Sequence, residues 1–413
     1  MDMNDRNMTD IKDRRIFKTF LSVILIVSMI FAMAGCGSSD GSSASAGDES
    51  TSEGFLTVDY SDSDFSSDAI PDPVTKESDD TLTITDCIGR ETEVPRNPER
   101  IAVLDSFAGE AVVMIGAGDI MVTCPNGTKS DRLLCEICPS LTEKEVIMSE
   151  GTFNAEALLE LKPDLIIIKK GLYTSDEERS KLEKLNIPYL VSDYGNMAEQ
   201  MYALRMIGCA AGGEYESKAE EIIDYYCEVI KKVESRASKI PDSDRKTVYH
   251  SINEAVRTDG EYSLGNDWIT ATGATDVSAQ HTGSLQKDKD DYYAEIEQIF
   301  SWDPDVVICN EAETKDYLLT DSKWSSLRAV REGSVYNIPV GATRWGQRGS
   351  LETFFAMLWL GTTIYPDYFS DIDLKSEVVS FYADVLNLTI DDATYQQILS
   401  GTGIRNASQA SGS

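Results

Sequence analysis

Two segments of this chain repeat one pattern, and that repeat constrains the fold more than any other feature. Asn154 to Leu161 has the spacing of an amphipathic helix, ends in Lys162-Pro163-Asp164, and runs into Leu165-Ile166-Ile167-Ile168. Glu295 to Trp302 does the same, ends in Asp303-Pro304-Asp305, and runs into Val306-Val307-Ile308. Each copy also carries a Glu seven residues before its proline: Glu156 and Glu297. Short, continuous apolar strands are buried on both faces, as in a parallel sheet covered by helices. Two such units in matching register predict two similar α/β lobes.

Between the copies, Glu214 to Lys239 places apolar residues at Ala219, Ile222, Ile223, Tyr226, Val229, Ile230 and Val233. A spacing of three and four is helical, Gly212-Gly213 precede it and Pro241 follows it. At 1.5 Å per residue this is a rod of roughly 38 Å, long enough to run from one lobe to the other. Upstream, Leu82-Thr83-Ile84-Thr85 alternates like a strand, Asp86 to Gly89 reads as a turn, and Glu91 to Pro95 as a second strand. Ile101 to Leu104 reads as a short buried strand, followed by a helix from about Gly109 to Ile115. The expected class is therefore α/β, with two Rossmann-like lobes around mainly parallel sheets. One long helix joins them, and a ligand cleft lies between them.

The N-terminus carries an address. Lys12, Arg14, Arg15 and Lys18 precede an apolar run from Thr19 to Ala34, which falls short of the ~20 apolar residues of a spanning helix. A basic start, a short apolar core and small residues are the marks of an export signal. Met33-Ala34-Gly35-Cys36 resembles the lipobox of bacterial lipoproteins, although Leu is more usual at the first position. That resemblance implies cleavage before Cys36 and lipid on its thiol. Residues 1–35 are then a signal peptide and the mature protein is anchored at the outer face of the cell membrane.

From Gly37 to Asp80 there are twelve acidic residues and one Lys, among many Ser and Gly. Residues 36–80 are therefore expected to be an unfolded, self-repelling tether. The remaining boundaries are a first lobe over 81–212, the connecting helix over 213–240, a second lobe with terminal helices over 241–401, and a tail over 402–413. The formal net charge of −34 argues against a broad basic face for nucleic acid or anionic headgroups.

Cys36 leaves seven cysteines. Cys124 with Cys135 or Cys138 could close a loop, whereas Cys209, Cys227 and Cys309 lie in apolar patterns and are expected in the core. The lone Cys135-x-x-Cys138 pair has no visible partner motif for a zinc site.

Several landmarks come in a fixed order: Thr85-Asp86 with Gly89-Arg90, the two Glu-to-Pro-Asp units, and Trp324 with Leu327-Arg328-Ala329-Val330. Gly333-Ser334-Val335-Tyr336, Leu351-Glu352, Leu358-Trp359-Leu360 and Tyr365-Pro366 follow. As an ordered set, from about Leu82 to Gly401, they resemble the substrate-binding lipoproteins of ABC importers for iron–siderophore, haem and cobalamin. The resemblance implies a monomer that captures a metal chelate and delivers it to a permease and its ATPase. The membrane is reached through a lipid anchor, and neither a resident cofactor nor a nucleic acid partner is involved. It also implies one carboxylate per lobe for docking on permease arginines. The helix–Pro–strand match carries that role to Glu156 and Glu297, with helix capping as the competing role. Glu110, in the first helix, is a weaker candidate for docking or for lining the cleft.

Ligands of open α/β sheets bind beyond the carboxyl ends of the strands. In the first lobe this points to Ser106 and Phe107, and to the stretch from Lys170 to Tyr173. In the second it points to Tyr249, His250 and Ser251, the segment from Tyr262 to Trp268, and Asn310-Glu311. The foremost cluster is Arg344-Trp345-Gly346-Gln347-Arg348: Arg offers a planar fork for anionic oxygens and Trp a flat face for a ring system. Pairing with surface acids and core packing are the competing roles.

The chain has two histidines, His250 and His281. A haem-binding relative would often present His or Tyr as an axial ligand. Among other classes, an enzyme is disfavoured: no HExxH helix or phosphate loop occurs, and a His-dependent triad would have to use His250 or His281. A ligand sensor on the same fold, or a binder of an oxyanion such as molybdate, are the alternatives.

Overall fold

The computed structural model describes residues 54–402. The predicted signal peptide and Cys36 lie outside the described residues, as do residues 403–413. A small antiparallel sheet opens the fold: β1 (Val74–Glu77), β2 (Thr81–Thr85) and β3 (Glu91–Pro95) pair in that order. The first lobe is built on four parallel strands, β4 (Ile101–Leu104), β5 (Met121–Thr123), β6 (Leu165–Lys169) and β7 (Tyr189–Ser192), arranged β5-β4-β6-β7. The second lobe repeats the plan with β8 (Thr247–Ser251), β9 (Thr275–Asp276), β10 (Val306–Cys309) and β11 (Val335–Asn337), arranged β9-β8-β10-β11.

In both sheets the order is second, first, third, fourth, so the sequence repeat is a topological repeat. All residues of β4, β7 and β10 are buried, as are the four apolar residues of β6, which explains their lack of alternation.

Helix α1 (Ser106–Met114) follows β4, α2 (Ala155–Glu160) precedes β6, and α3 (Met197–Ala211) follows β7. Helix α4 (Glu214–Ala237) then carries the chain to the second lobe. Its 24 residues make a rod of roughly 36 Å. It buries Ala219, Ile222, Ile223, Tyr226, Val229, Ile230 and Val233, the stripe expected from the sequence. The second lobe adds α5 (Leu264–Ala271), α6 (Ile296–Trp302), α7 (Thr353–Ile364) and α8 (Leu374–Asp384). Helix α7 is apolar almost all round and buried along nearly its whole length, and it packs on α4 and α5. Among the described residues, no helix is long and apolar enough to cross a membrane.

The tether expected over 36–80 is corrected from Gly54 onward, where the chain packs on the body. Phe65 and Ile70 are buried in the main core, with Leu56, Val58 and Tyr60 against it. Arg205 of α3 donates to the carbonyls of Ser67 and Ile70, and Ser67 Oγ donates to Asp224 of α4 at 2.5 Å. Acidic residues dominated the expectation, but they sit at turns: Asp59 accepts from the Ser61 amide and Asp62 from the Asp64 amide. The interspersed apolar residues supply the burial that a tether would lack.

All seven cysteines after Cys36 are free thiols, with Cys209, Cys227 and Cys309 in the core.

Candidate ligand cleft

The strand order places a switch point between the first and third strands of each lobe. The crevice of such a sheet opens at the carboxyl ends of those strands. In the first lobe, β4 delivers Asp105 and Ser106 to this edge. Asp105 caps α1 by accepting from the Ala108 amide at 3.2 Å, and burial pushes its carboxyl up. Ser106 is exposed. Strand β6 delivers Lys169 and Lys170, both exposed, and β7 delivers Asp193. Lys170 Nζ donates to Asp193 at 2.7 Å.

In the second lobe, β10 delivers Asn310 and Glu311. The loop after β11 delivers Arg344 and Arg348. Arg344 pairs with Glu311 at 2.8 Å and donates to Gln347 Oε1 at 2.8 Å. Arg348 crosses to the first lobe, 3.6 Å from Asp193 and 3.3 Å from the Tyr194 carbonyl. Its side chain is 56% exposed, so an incoming anion can reach it. Gly349 turns there at φ +94°, a conformation that favours glycine, and its amide donates to Tyr194 Oη at 2.8 Å. A Cβ added at Gly349 would stand 3.7 Å from Ser106, so the arginine loop passes beside the start of α1.

Lys170, Arg344, Arg348, Ser106 and Glu311 are thus brought to one cleft edge. Several other expected residues are not, and the structure corrects them. Trp345 is fully buried, with its ring 5.1 Å from Phe355. Trp268 is fully buried and donates to the Gly346 carbonyl at 3.0 Å. Phe107 packs edge-on against Tyr194, and the Tyr249 hydroxyl donates to the Ala255 carbonyl at 2.9 Å. These rings carry large apolar area and each sits on the inward side of its element, so the core takes them. Tyr173 is half-buried, and the guanidinium carbons of Arg90 and Arg179 stand over its ring, 5.0 and 5.4 Å from the centroid.

His250 does not reach the cleft either. Its Nδ1 meets Asp259 at 2.6 Å and its Nε2 meets Asn310 Oδ1 at 2.8 Å, both buried. Burial pulls its pKa down, but the Asp259 carboxylate and the two hydrogen bonds more than offset this, and the net shift is upward. His281 meets the Val277 carbonyl at 2.7 Å and packs on Trp302. Tyr262 bonds Glu199 across the lobes, and Glu199 also accepts from the amides of Leu56 and Gly195. Sequence reasoning missed Asp193, although it follows an apolar strand just as Ser106 and Asn310 do.

The two repeat carboxylates are exposed in the first turns of α2 and α6. Neither caps its helix. Asn154 accepts from the amides of Glu156 and Ala157 at 3.0 and 3.1 Å, and Glu295 heads α6 in a capping box with Gln298. Glu110 is wholly buried and can neither dock nor line the cleft.

With this geometry in hand, comparison with known proteins gives a consistent result. A family model described as periplasmic binding protein matches residues 101–340. The molybdate-binding protein MolA of Haemophilus influenzae is 21% identical over 321 residues, covering 72% of this chain and 89% of MolA. Its molybdate-bound structure aligns with a TM-score of 0.64. A periplasmic solute binding protein from Veillonella parvula aligns with a TM-score of 0.65 at 24% identity, covering 77% of this chain and 97% of that one. CeuE of Helicobacter pylori, in its Ni–His complex, aligns at 0.63 and 19% identity, covering 77% of this chain and 99% of that one. At these identities the solved structures are similar in fold.

Proposed function

We propose, for a chain that belongs to the periplasmic binding protein family, that it captures an anionic metal chelate in the cleft between its lobes and delivers it to an ABC permease. The observation that carries this is the convergence of cations from both lobes on one carboxylate: Lys170 and Arg348 meet Asp193 at 2.7 and 3.6 Å. Arg344 extends the row on Glu311. A chelate with carboxylate, catecholate or hydroxamate oxygens would take over these hydrogen bonds, and a guanidinium holds such oxygens through a planar fork. Ferric siderophores suit this edge best. The ring faces expected for a haem or corrin stack are in the core, which favours recognition through charge. In this reading Cys36 bears the lipid anchor, while Glu156 and Glu297 meet cationic sockets on the permease.

A second reading, a bare oxyanion such as molybdate, is favoured by the likeness to MolA and by the same arginines. Titration with ferric tris-catecholate, haemin, cobalamin and molybdate, followed by absorption and tryptophan fluorescence, separates them. The chelate reading expects tight ferric catecholate binding that weakens at least about tenfold in Arg348→Gln. Tight binding of molybdate alone, or chelate affinity indifferent to Arg348 and Lys170, would sink it.

A further inference from the structure

Behind the cleft edge lies a buried polar cluster that the ligand reading does not use. Glu110 on α1 of the first lobe and Glu352 beside α7 of the second are both wholly buried. Thr343, the residue before Arg344, joins them. Its hydroxyl donates to Glu110 Oε1 at 2.9 Å, with Ser350 Oγ also 2.6 Å away, and its amide donates to Glu352 Oε2 at 2.9 Å. Glu110 Oε2 accepts from the Leu351 amide at 2.9 Å. Glu352 Oε1 accepts from the Tyr382 hydroxyl of α8 at 2.5 Å.

The same loop is held to the first lobe at two further points. Gln200 of α3 donates to the Ser350 carbonyl at 2.8 Å, and Tyr194 accepts from the Gly349 amide. A segment continuous with the second lobe is therefore fastened to the first at both ends of its arginine stretch.

We infer that Glu110 is a positioning residue: through Thr343 and Leu351 it pins the second lobe's 343–351 loop to the first lobe and so fixes where Arg344 and Arg348 stand. It touches no ligand. Two buried carboxyls in one cluster would repel if both were ionised. Burial and then the nearby Glu352 push the Glu110 carboxyl up, with Asp131 adding to the same effect. The neutral form still accepts the Leu351 and Thr343 hydrogens. Removing the Thr343 hydroxyl leaves a buried oxygen of Glu110 unsatisfied, and that cost falls on the loop. The affinity part of this inference rests on the cleft reading above, whereas the pinning does not.

The test uses Thr343→Val, which keeps the side chain's shape, and Thr343→Ser, which restores the hydroxyl. Hydrogen exchange is followed over the whole chain, with binding of ferric tris-catecholate, haemin and molybdate measured alongside. In Thr343→Val, exchange over 343–351 is expected to rise at least about tenfold while α4 and the core strands keep their protection. Affinity for whichever probe binds the native protein should fall by about tenfold. Thr343→Ser should return both towards native values. Unchanged exchange over 343–351 in a folded Thr343→Val protein overturns the inference, as does a loosened loop with native affinity. A uniform rise across the chain that Thr343→Ser does not reverse overturns it too, since that marks general destabilisation. If the native protein binds none of the three probes, the ligand reading fails, and the exchange pattern still decides the role of Glu110.

Discussion

Replacing Asp267 by Asn should make the protein more stable at pH 8 and leave it almost unchanged near pH 4. Asp267 sits on α5 of the second lobe and accepts from the Met197 amide at the start of α3 at 2.7 Å, and from Tyr60 Oη at 2.9 Å. It therefore ties the two lobes and the N-terminal segment together. Burial outweighs those hydrogen bonds and raises its pKa from 3.8 to about 6, with the Glu199 charge adding to the rise.

The folded protein thus holds a proton there that the unfolded chain releases. The stability contributed by the neutral carboxyl is fully present below pH 3.8 and is lost as pH rises through about 6. The shift corresponds to about 3 kcal/mol. Both hydrogen bonds fall on Oδ2, and Asn keeps an oxygen in that place to accept from the Met197 amide and Tyr60 without a charge to desolvate. Urea unfolding followed by tryptophan fluorescence should therefore give a mutant-minus-native difference near zero at pH 4 that grows to about 3 kcal/mol by pH 8. A difference that stays flat with pH would refute the reasoning, and one that favours the native protein at pH 8 would reverse it.

Other outcomes follow from the site. His250→Ala should leave the absorption of any haem-soaked protein unchanged but cost about 2–4 kcal/mol in urea unfolding, since Asp259 and Asn310 lose their buried partner. Glu156→Ala combined with Glu297→Ala should abolish uptake in cells while leaving chelate affinity within about twofold. A matching fall in affinity would remove the docking role. Raising salt from 50 to 500 mM should weaken chelate binding markedly in the native protein and much less in Lys170→Gln with Arg348→Gln, because those charges are partly exposed.

Much of this architecture was legible in the sequence. The paired helix–Pro-Asp–strand units announced two lobes, and the apolar stripe from Ala219 to Val233 announced the joining helix, because periodicity is a local property of the chain. Strand ends pointed to Ser106, Lys170, Glu311 and Arg344 for the same reason. The aromatic candidates failed together. Trp345 and Arg344 are neighbours in sequence, yet one enters the core and the other the cleft edge. The residues from Gly54 to Ile70 looked like tether because they lie within the acidic, Ser- and Gly-rich stretch from Gly37 to Asp80, and composition does not reveal which few side chains will find a core.

What the sequence determined by itself is the two-lobed parallel plan and the strand ends that face the cleft, since hydrophobic period and turn chemistry are written along the chain. Only the tertiary structure decided the rest. It set Glu110 on Thr343, some 230 residues away, Tyr262 on Glu199, and Arg348 on the opposite lobe's Asp193. Those pairings depend on which surfaces meet when the lobes pack. Burial and hydrogen-bond satisfaction at such a seam are properties of the assembled fold, and no local pattern encodes them.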